Sequence, residues 1–246
     1  MKIIFLGTNG WFDSQTGNTL STLIETRDAY IVFDAGYGFA RLKKYAVQNK
    51  PIYLFISHLH VDHICGLHTL PMFNFKKGLT IFISKKSAKK LQTFMNHPFM
   101  SPPKERNYPI KIVGLSEGNY KQPFPFVCKT LKHIDNTFGY RINIENKIIT
   151  HCCDTAVCKN DLELARDADL LIHECAFLPG EESYWGHTNP ESAAKLAKQA
   201  GVKKLILTHF GADRYISRQA RNKSLQVAKK IFLKTRAAKD DLIIKL

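Results

Sequence analysis

Four side chains of metal-ligand type occur within seven residues of this chain. Ser57-His-Leu-His-Val-Asp-His63 directly follows the apolar run Ile52-Tyr-Leu-Phe-Ile56. That run has the length and composition of a buried strand. The H-x-H-x-D-H cluster therefore sits on a turn leaving a strand, where several side chains can be aimed at one point. Imidazole nitrogen and carboxylate oxygen suit zinc and its first-row neighbours. Four residues on one loop do not complete a two-metal site, so the fold must bring further ligands to this turn from elsewhere.

Three residues at predicted strand ends are candidates: His133 ends the run 126–132, Asp154 follows the strand 147–150, and His209 closes Leu205-Ile-Leu-Thr-His209. The remaining pattern is consistent with this placement. Short β-like runs at 3–6, 20–26, 30–34 and 53–56 fill the first third, with a short helix predicted over 39–48. A strand at 79–84 and a lysine-rich helix at 87–95 follow. Residues 97–109 hold four prolines and read as a loop at the rim of a site. Strands at 110–113, 126–131, 138–144 and 147–150 come next. The last third alternates strand 170–173, helix 190–200, strand 204–208, helix 217–234 and strand 242–246. Thr188 and Glu191 fit a capping box, Pro190 the first turn, and Gly201 the stop of the helix at 190. Strands first, then helices interleaved with strands, predict α/β architecture with two sheets flanked by helices, in a single domain over 1–246.

In this arrangement the chain resembles a metallo-β-lactamase-fold hydrolase of the ribonuclease Z-like phosphodiesterase branch. The matching pieces run in order: Phe5-Leu-Gly-Thr8, Phe33-Asp-Ala-Gly36, Ser57–His63, His133 with Phe138-Gly-Tyr-Arg141, Asp154-Thr155, His173-Glu174, Gly186-His187-Thr188, and Leu207-Thr-His-Phe210 ahead of Arg214-Tyr215. The first histidine motif marks the superfamily; Gly-Tyr-Arg and Thr-His-Phe mark the narrower branch. The resemblance implies an αββα sandwich of two mixed sheets flanked by helices. It also implies two Zn²⁺ ions, with Mn²⁺ or Fe as substitutes. His58, His60 and His133 would hold one ion, Asp62, His63 and His209 the other, and Asp154 would bridge them. Asp34 would steady the histidine loop by hydrogen bonds.

The activity so implied is phosphodiester hydrolysis by a metal-bridging hydroxide. Asp62 would accept the water's proton, and His187, oriented by Glu174, would protonate the leaving oxygen. The other readings are a tRNA 3′-processing endoribonuclease (ribonuclease Z), a thioester or lactone hydrolase, and a nucleic-acid-binding module with a degenerate site. tRNA-processing members carry a long arm between the His133-type and Asp154-type motifs. Here only residues 134–153 separate them, which favours a general phosphodiesterase. A superfamily oxidoreductase would carry Glu where His60 stands, which argues against that class.

Lysine plus arginine exceed the acids 36 to 21, a formal net charge of +15. Such an excess draws polyanions, so the expected partner is a phosphate-bearing small molecule or nucleic acid, with a homodimer possible. No apolar run reaches the roughly 18 residues of a membrane span, and Met1-Lys-Ile-Ile-Phe-Leu-Gly7 reads as a first strand and not a signal peptide. These features predict a cytoplasmic protein with no membrane partner. The six cysteines, none in a C-x-x-C pair, are expected as reduced thiols.

Overall fold

The computed structural model describes residues 1–47, 49–181 and 185–246. The strands are β1 (Lys2–Gly7), β2 (Asn9–Gly10), β3 (Ser21–Glu25), β4 (Tyr30–Phe33), β5 (Ile52–Phe55), β6 (Leu79–Ser84), β7 (Ile110–Leu115), β8 (Gly118–Tyr120), β9 (Phe126–Thr130), β10 (Phe138–Ile144), β11 (Lys147–Cys152), β12 (Leu170–Glu174), β13 (Leu205–Thr208), β14 (Phe210–Gly211), β15 (Thr235–Ala237) and β16 (Leu242–Lys245). Among the described residues they form two seven-stranded mixed sheets, ordered β16-β1-β3-β4-β5-β6-β7 and β15-β13-β12-β11-β10-β9-β8, and a two-stranded ladder of β14 with β2.

Each sheet changes character partway across. In the first, β4, β5, β6 and β7 run parallel, while β16, β1, β3 and β4 pair antiparallel. In the second, β11, β12, β13 and β15 run parallel, while β8 to β11 pair antiparallel. Ligand sites of open α/β sheets lie beyond the carboxyl ends of parallel strands, near such switch points.

The strands are apolar on both faces because both faces are covered. On β1, Ile3 and Phe5 join the layer between the sheets, and Ile4 and Leu6 face the helical side. Between the sheets Phe33 and Phe55 both meet Tyr140, and Phe126 meets Phe55, with ring centroids 5.1 Å apart for Phe55–Tyr140 and 5.2 Å for Phe55–Phe126. Outside the first sheet lie α1 (Leu42–Tyr45), α2 (Val61–Ile64) and α3 (Lys85–Phe94). Outside the second lie α4 (Lys159–Ala165), α5 (Pro190–Gln199) and α6 (Arg218–Ile231). The layering is helix, sheet, sheet, helix, as predicted.

The local differences have physical reasons. The predicted helix over 39–48 is a 3₁₀ turn, Tyr37–Arg41, followed by the single turn α1; Gln48 lies outside the described residues. α5 is capped by Asn189, whose side chain accepts from the Ser192 N–H at 2.9 Å, and not by Thr188. The Thr188 N–H donates to Glu174 instead. Pro190 and Gly201 hold the positions expected of them, Gly201 with φ +68°. The proline-rich segment 97–109 packs through Tyr108, whose hydroxyl donates to the Leu70 carbonyl. It contributes no residue to the cavity described below, so it is not that cavity's rim. The sequence pattern did not reveal α4, β15 or the β2–β14 ladder, which are short and carry no strong periodicity. No helix among the described residues is long and apolar enough to cross a membrane, and all six cysteines are free.

Candidate metal centre

The turn after β5 carries His58, enters α2 at His60, and places Asp62 and His63 inside that single helical turn. Its shape is fixed from behind by Asp34, at the end of β4. Asp34 Oδ1 accepts from the Ser57 N–H at 2.7 Å and from the Ser57 hydroxyl at 3.0 Å, while Asp34 Oδ2 lies 3.1 Å from His63 Nδ1. Ser57 Oγ is 3.0 Å from His58 Nδ1. Both rings therefore use Nδ1 for protein contacts and turn Nε2 inward, as outer hydrogen bonds do in metal sites. His133, beyond β9, holds its Nδ1 3.2 Å from the Gly186 carbonyl. Gly186 is confined to this place, with φ +77° and room for no Cβ, which would lie 2.7 Å from His133 Cα.

The predicted ligands converge. His58, His60, His133 and Asp154 form one group, and Asp62, His63 and His209 a second, with ligand atoms in each group within 4.8 Å of one another. Asp154 faces both. Its Oδ2 lies 3.6 Å from His58 Nε2 and 3.9 Å from His133 Nε2, and its Oδ1 lies 3.4 Å from His63 Nε2 and 3.1 Å from His209 Nε2. His209 Nε2 is also 3.3 Å from Asp62 Oδ2. The fit to divalent cations can be tested on these distances. His60 Nδ1 and His133 Nε2 are 3.4 Å apart, and His63 Nε2 and His209 Nε2 are 3.2 Å apart. Ligand atoms about 2.0–2.1 Å from a tetrahedral cation are separated by roughly 3.4 Å. His58 Nε2 and Asp154 Oδ1 are buried without a hydrogen-bond partner, an arrangement that is costly unless a cation satisfies it.

The electrostatics agree. Burial opposes charge on Asp154 and Asp62, yet His209 and His63 hold the Asp154 carboxyl well below the usual range, and His63 and His209 do the same for Asp62. Burial opposes charge on His63 as well, but Asp154, Asp62 and Asp34 raise it well above its ordinary value. Burial and the neighbouring His63 push His58 well below. The carboxylates of Asp62 and Asp154, held in their charged form inside the fold beside the uncharged imidazole of His58, make a field that favours cations. Among the described residues eight non-glycine residues have positive φ, and Trp11, Asp34, Asp154 and His209 of these surround the cluster. Strained backbone of this kind gathers at functional sites. Gly10 leaves room for the His209 ring, since a Cβ there would lie 2.4 Å from it.

The predicted His187–Glu174 pair is in contact. His187 Nδ1 lies 2.8 Å from Glu174 Oε1, and the His187 ring faces Asp154 and His209. Glu174 is buried and accepts from the N–H groups of Thr155, Ala176 and Thr188. It thereby locks the loops bearing Asp154 and His187 together. Burial lowers the pKa of His187, but the charge and hydrogen bond of Glu174 prevail and raise it to about 9. His151, three residues before Asp154, turns away and stacks on Phe33 in the core, with centroids 4.5 Å apart. His173 pairs with Asp161 at 3.1 Å. Sequence reasoning missed Trp11, whose backbone N–H donates to Asp62 Oδ2 at 2.7 Å. An indole is not a metal-ligand type, so no motif in the sequence singled it out.

The beta-lactamase superfamily domain matches residues 29–210. Ribonuclease Z of Enterococcus faecalis is 29% identical over an alignment of 308 positions, which covers 100% of this chain and 97% of that protein. Ribonuclease Z of Limosilactobacillus fermentum is 28% identical, with 100% and 98% covered. Among solved structures, the metallo-beta-lactamase fold protein YhfI from Bacillus subtilis superposes with TM-score 0.81 at 22% identity, covering 99% of this chain and 98% of that one. The short form of human tRNase Z superposes with TM-score 0.77 at 23% identity, covering 100% and 99%. With the domain match spanning most of its length, this chain belongs to the beta-lactamase superfamily, as a metallo-β-lactamase-fold protein of the ribonuclease Z-like branch.

Proposed function

We propose that this protein is a cytoplasmic, metal-dependent phosphodiesterase working with two divalent cations, zinc foremost. The observation that carries this reading is Asp154, whose two oxygens face two separate groups of imidazoles. His58, His60 and His133 would hold one cation, and Asp62, His63 and His209 the other, with Asp154 common to both. Bound there, the cations supply a water acidified toward neutral pH and neutralise charge gathering on the phosphoryl oxygens.

The chain's own residues do the rest. Asp62, whose Oδ2 accepts from the Trp11 backbone N–H, accepts a proton from the attacking water. His187 stays protonated at neutral pH through Glu174 and donates to the departing oxygen, so that an alcohol leaves and not an alkoxide. Glu174, 2.8 Å from Nδ1, keeps that imidazolium in place and leaves its Nε2–H as the proton to be donated. The aromatic core shared by both sheets supports one domain over residues 1–246.

A second reading, an endoribonuclease acting on RNA, is favoured by the relatives named Ribonuclease Z. Against it, the alignment runs over 308 positions while this chain has 246 residues, so the relative carries segments this chain lacks. In addition, residues 134–153 are used mainly by β10 and β11. The deciding experiment is a parallel assay of metal-reconstituted protein on bis(p-nitrophenyl) phosphate, a cyclic nucleotide, pre-tRNA and a thioester. Hydrolysis of the small diesters without the thioester is expected. Turnover confined to pre-tRNA would favour the endoribonuclease, and turnover confined to the thioester would reject both readings.

A further inference from the structure

We infer that the mouth of the metal cavity is a stacking platform for a nucleobase, with Trp11 and Trp185 as its specificity-determining residues. The chemistry rests on the phosphodiesterase reading above; the inference names its substrate class as a nucleoside-bearing phosphodiester.

The cavity holds about 710 Å³, within the size range of small-molecule sites. Its floor is the ligand cluster and its mouth is apolar. Trp11, Val61, Ile134 and Trp185 all line it and are 68%, 69%, 63% and 60% exposed. The chain has only two tryptophans, and both stand at this opening. Exposed apolar groups gathered around one cavity mark a binding surface, whereas scattered single ones do not.

Trp11 is built into the site. Its φ of +74° is a conformation that L side chains rarely adopt, and such strain persists only where the surroundings over-determine it. Here the determinants are the 2.7 Å hydrogen bond from its backbone N–H to Asp62 and, one residue earlier, Gly10 against the His209 ring. Phe12 props the indole edge-on at 5.3 Å. The backbone at Trp11 is thus held against Asp62 and His209 of the second ligand group, while its indole stays exposed at the mouth.

Charge at the mouth is already engaged. Arg214 is the one lysine or arginine among the described lining residues. It is paired with Glu181 at 3.1 Å and with Asp213, and it lies over the Phe177 ring. The basic excess is carried elsewhere, as by Lys85, Lys86, Lys89 and Lys90 of α3. The mouth therefore reads a flat π-face and not a chain of further phosphates. Aromatic platforms of this kind stack any base, which predicts little preference among the four nucleobases.

Because both tryptophans sit at the mouth, intrinsic fluorescence reports binding directly. Metal-loaded protein would be titrated with adenosine 5′-monophosphate and with ribose 5-phosphate, which carries the same phosphate without a base. The nucleotide should quench and bind about tenfold or more tightly than the sugar phosphate. Trp11→Ala and Trp185→Ala, both at exposed positions, should each weaken nucleotide binding about tenfold, and Trp11→Phe should restore most of it. In parallel, kcat/KM would be measured for thymidine 5′-(p-nitrophenyl phosphate) and methyl p-nitrophenyl phosphate. The nucleoside ester should be preferred, and the preference should fall about tenfold in each alanine variant. Equal binding of nucleotide and sugar phosphate, or a preference untouched in both variants, overturns the inference. Hydrolysis of both esters at one rate also overturns it and leaves the phosphodiesterase reading intact. Nucleotide-specific quenching with neither ester hydrolysed supports the platform and rejects the phosphodiesterase reading.

Discussion

The first sheet delivers His58, His60, Asp62 and His63 from one turn after β5, whereas the second delivers His133, Asp154 and His209 from the ends of β9, β11 and β13. The first set is shaped largely by neighbours in sequence and by one carboxylate behind it, Asp34. The second set has no such local frame. Asp154 and His209 share an edge because β11, β12 and β13 run parallel in register, so that Cys152, His173 and Leu207 lie side by side and the residues after them emerge together. His133 joins them because β9 and β11 both pair antiparallel with β10. One half of the site depends on a turn and the other on a sheet, so damage to each should look different.

The sharpest way to break the comparison is at Asp154, the residue that joins both groups. Asp154→Ala should strip both cations and lower kcat/KM by more than the roughly 100-fold that follows loss of an outer partner. His63→Ala should remove one cation with the fold retained. Metal analysis beside circular dichroism distinguishes the two, and a full two-ion complement in His63→Ala would contradict the ligand assignment.

His187→Gln is expected to keep both cations and lose about 10²–10⁴ in rate, less on esters with good leaving groups. Equal losses on all substrates would rule out proton donation. The same role sets a pH dependence. The donor is the protonated form, so the rate on poor leaving groups should fall as pH rises through the imidazolium pKa, about 9 or lower with cations beside it. A profile flat across that range would count against the role.

Asp34→Asn tests the turn itself. It should cost about 10–100-fold in metal affinity, read by competition with a chelator, and leave His133 and His209 where they are. An affinity unchanged by this substitution would mean the turn holds its shape without that carboxylate. The smallest effect is expected at Asn189→Ala, which removes the α5 cap at a cost of about 1 kcal/mol in denaturant unfolding without altering the metal content. A loss several times larger would show that the second half leans on this helix end more than the cap accounts for.

The turn was legible because its chemistry is contiguous: H-x-H-x-D-H after an apolar run needs no tertiary information to be read as ligands. His133, Asp154 and His209 were legible as polar residues at the ends of apolar runs, which is a weaker signal. Their grouping came from the resemblance. Thr188 was misread as the α5 cap because its neighbour Asn189 offers the same chemistry one residue later, and only the competing bond from Thr188 N–H to Glu174 decides between them. Asp161, buried against His173, gave no sign in the sequence, since a lone acid in a short helix is ordinarily solvated. Trp11 likewise carried no ligand-type signal.

By itself the sequence determined the residue types that can bind cations, the strand beneath the first of them, and a layered α/β build, because these follow from local composition and periodicity. Only the tertiary structure decided that Asp154 turns one oxygen to each group of imidazoles, that Glu174 ties His187 to the Asp154 loop, and that both tryptophans stand at one opening. Those are distances between segments far apart in the chain. They are set by strand register and by packing between the two sheets, and no local pattern encodes either.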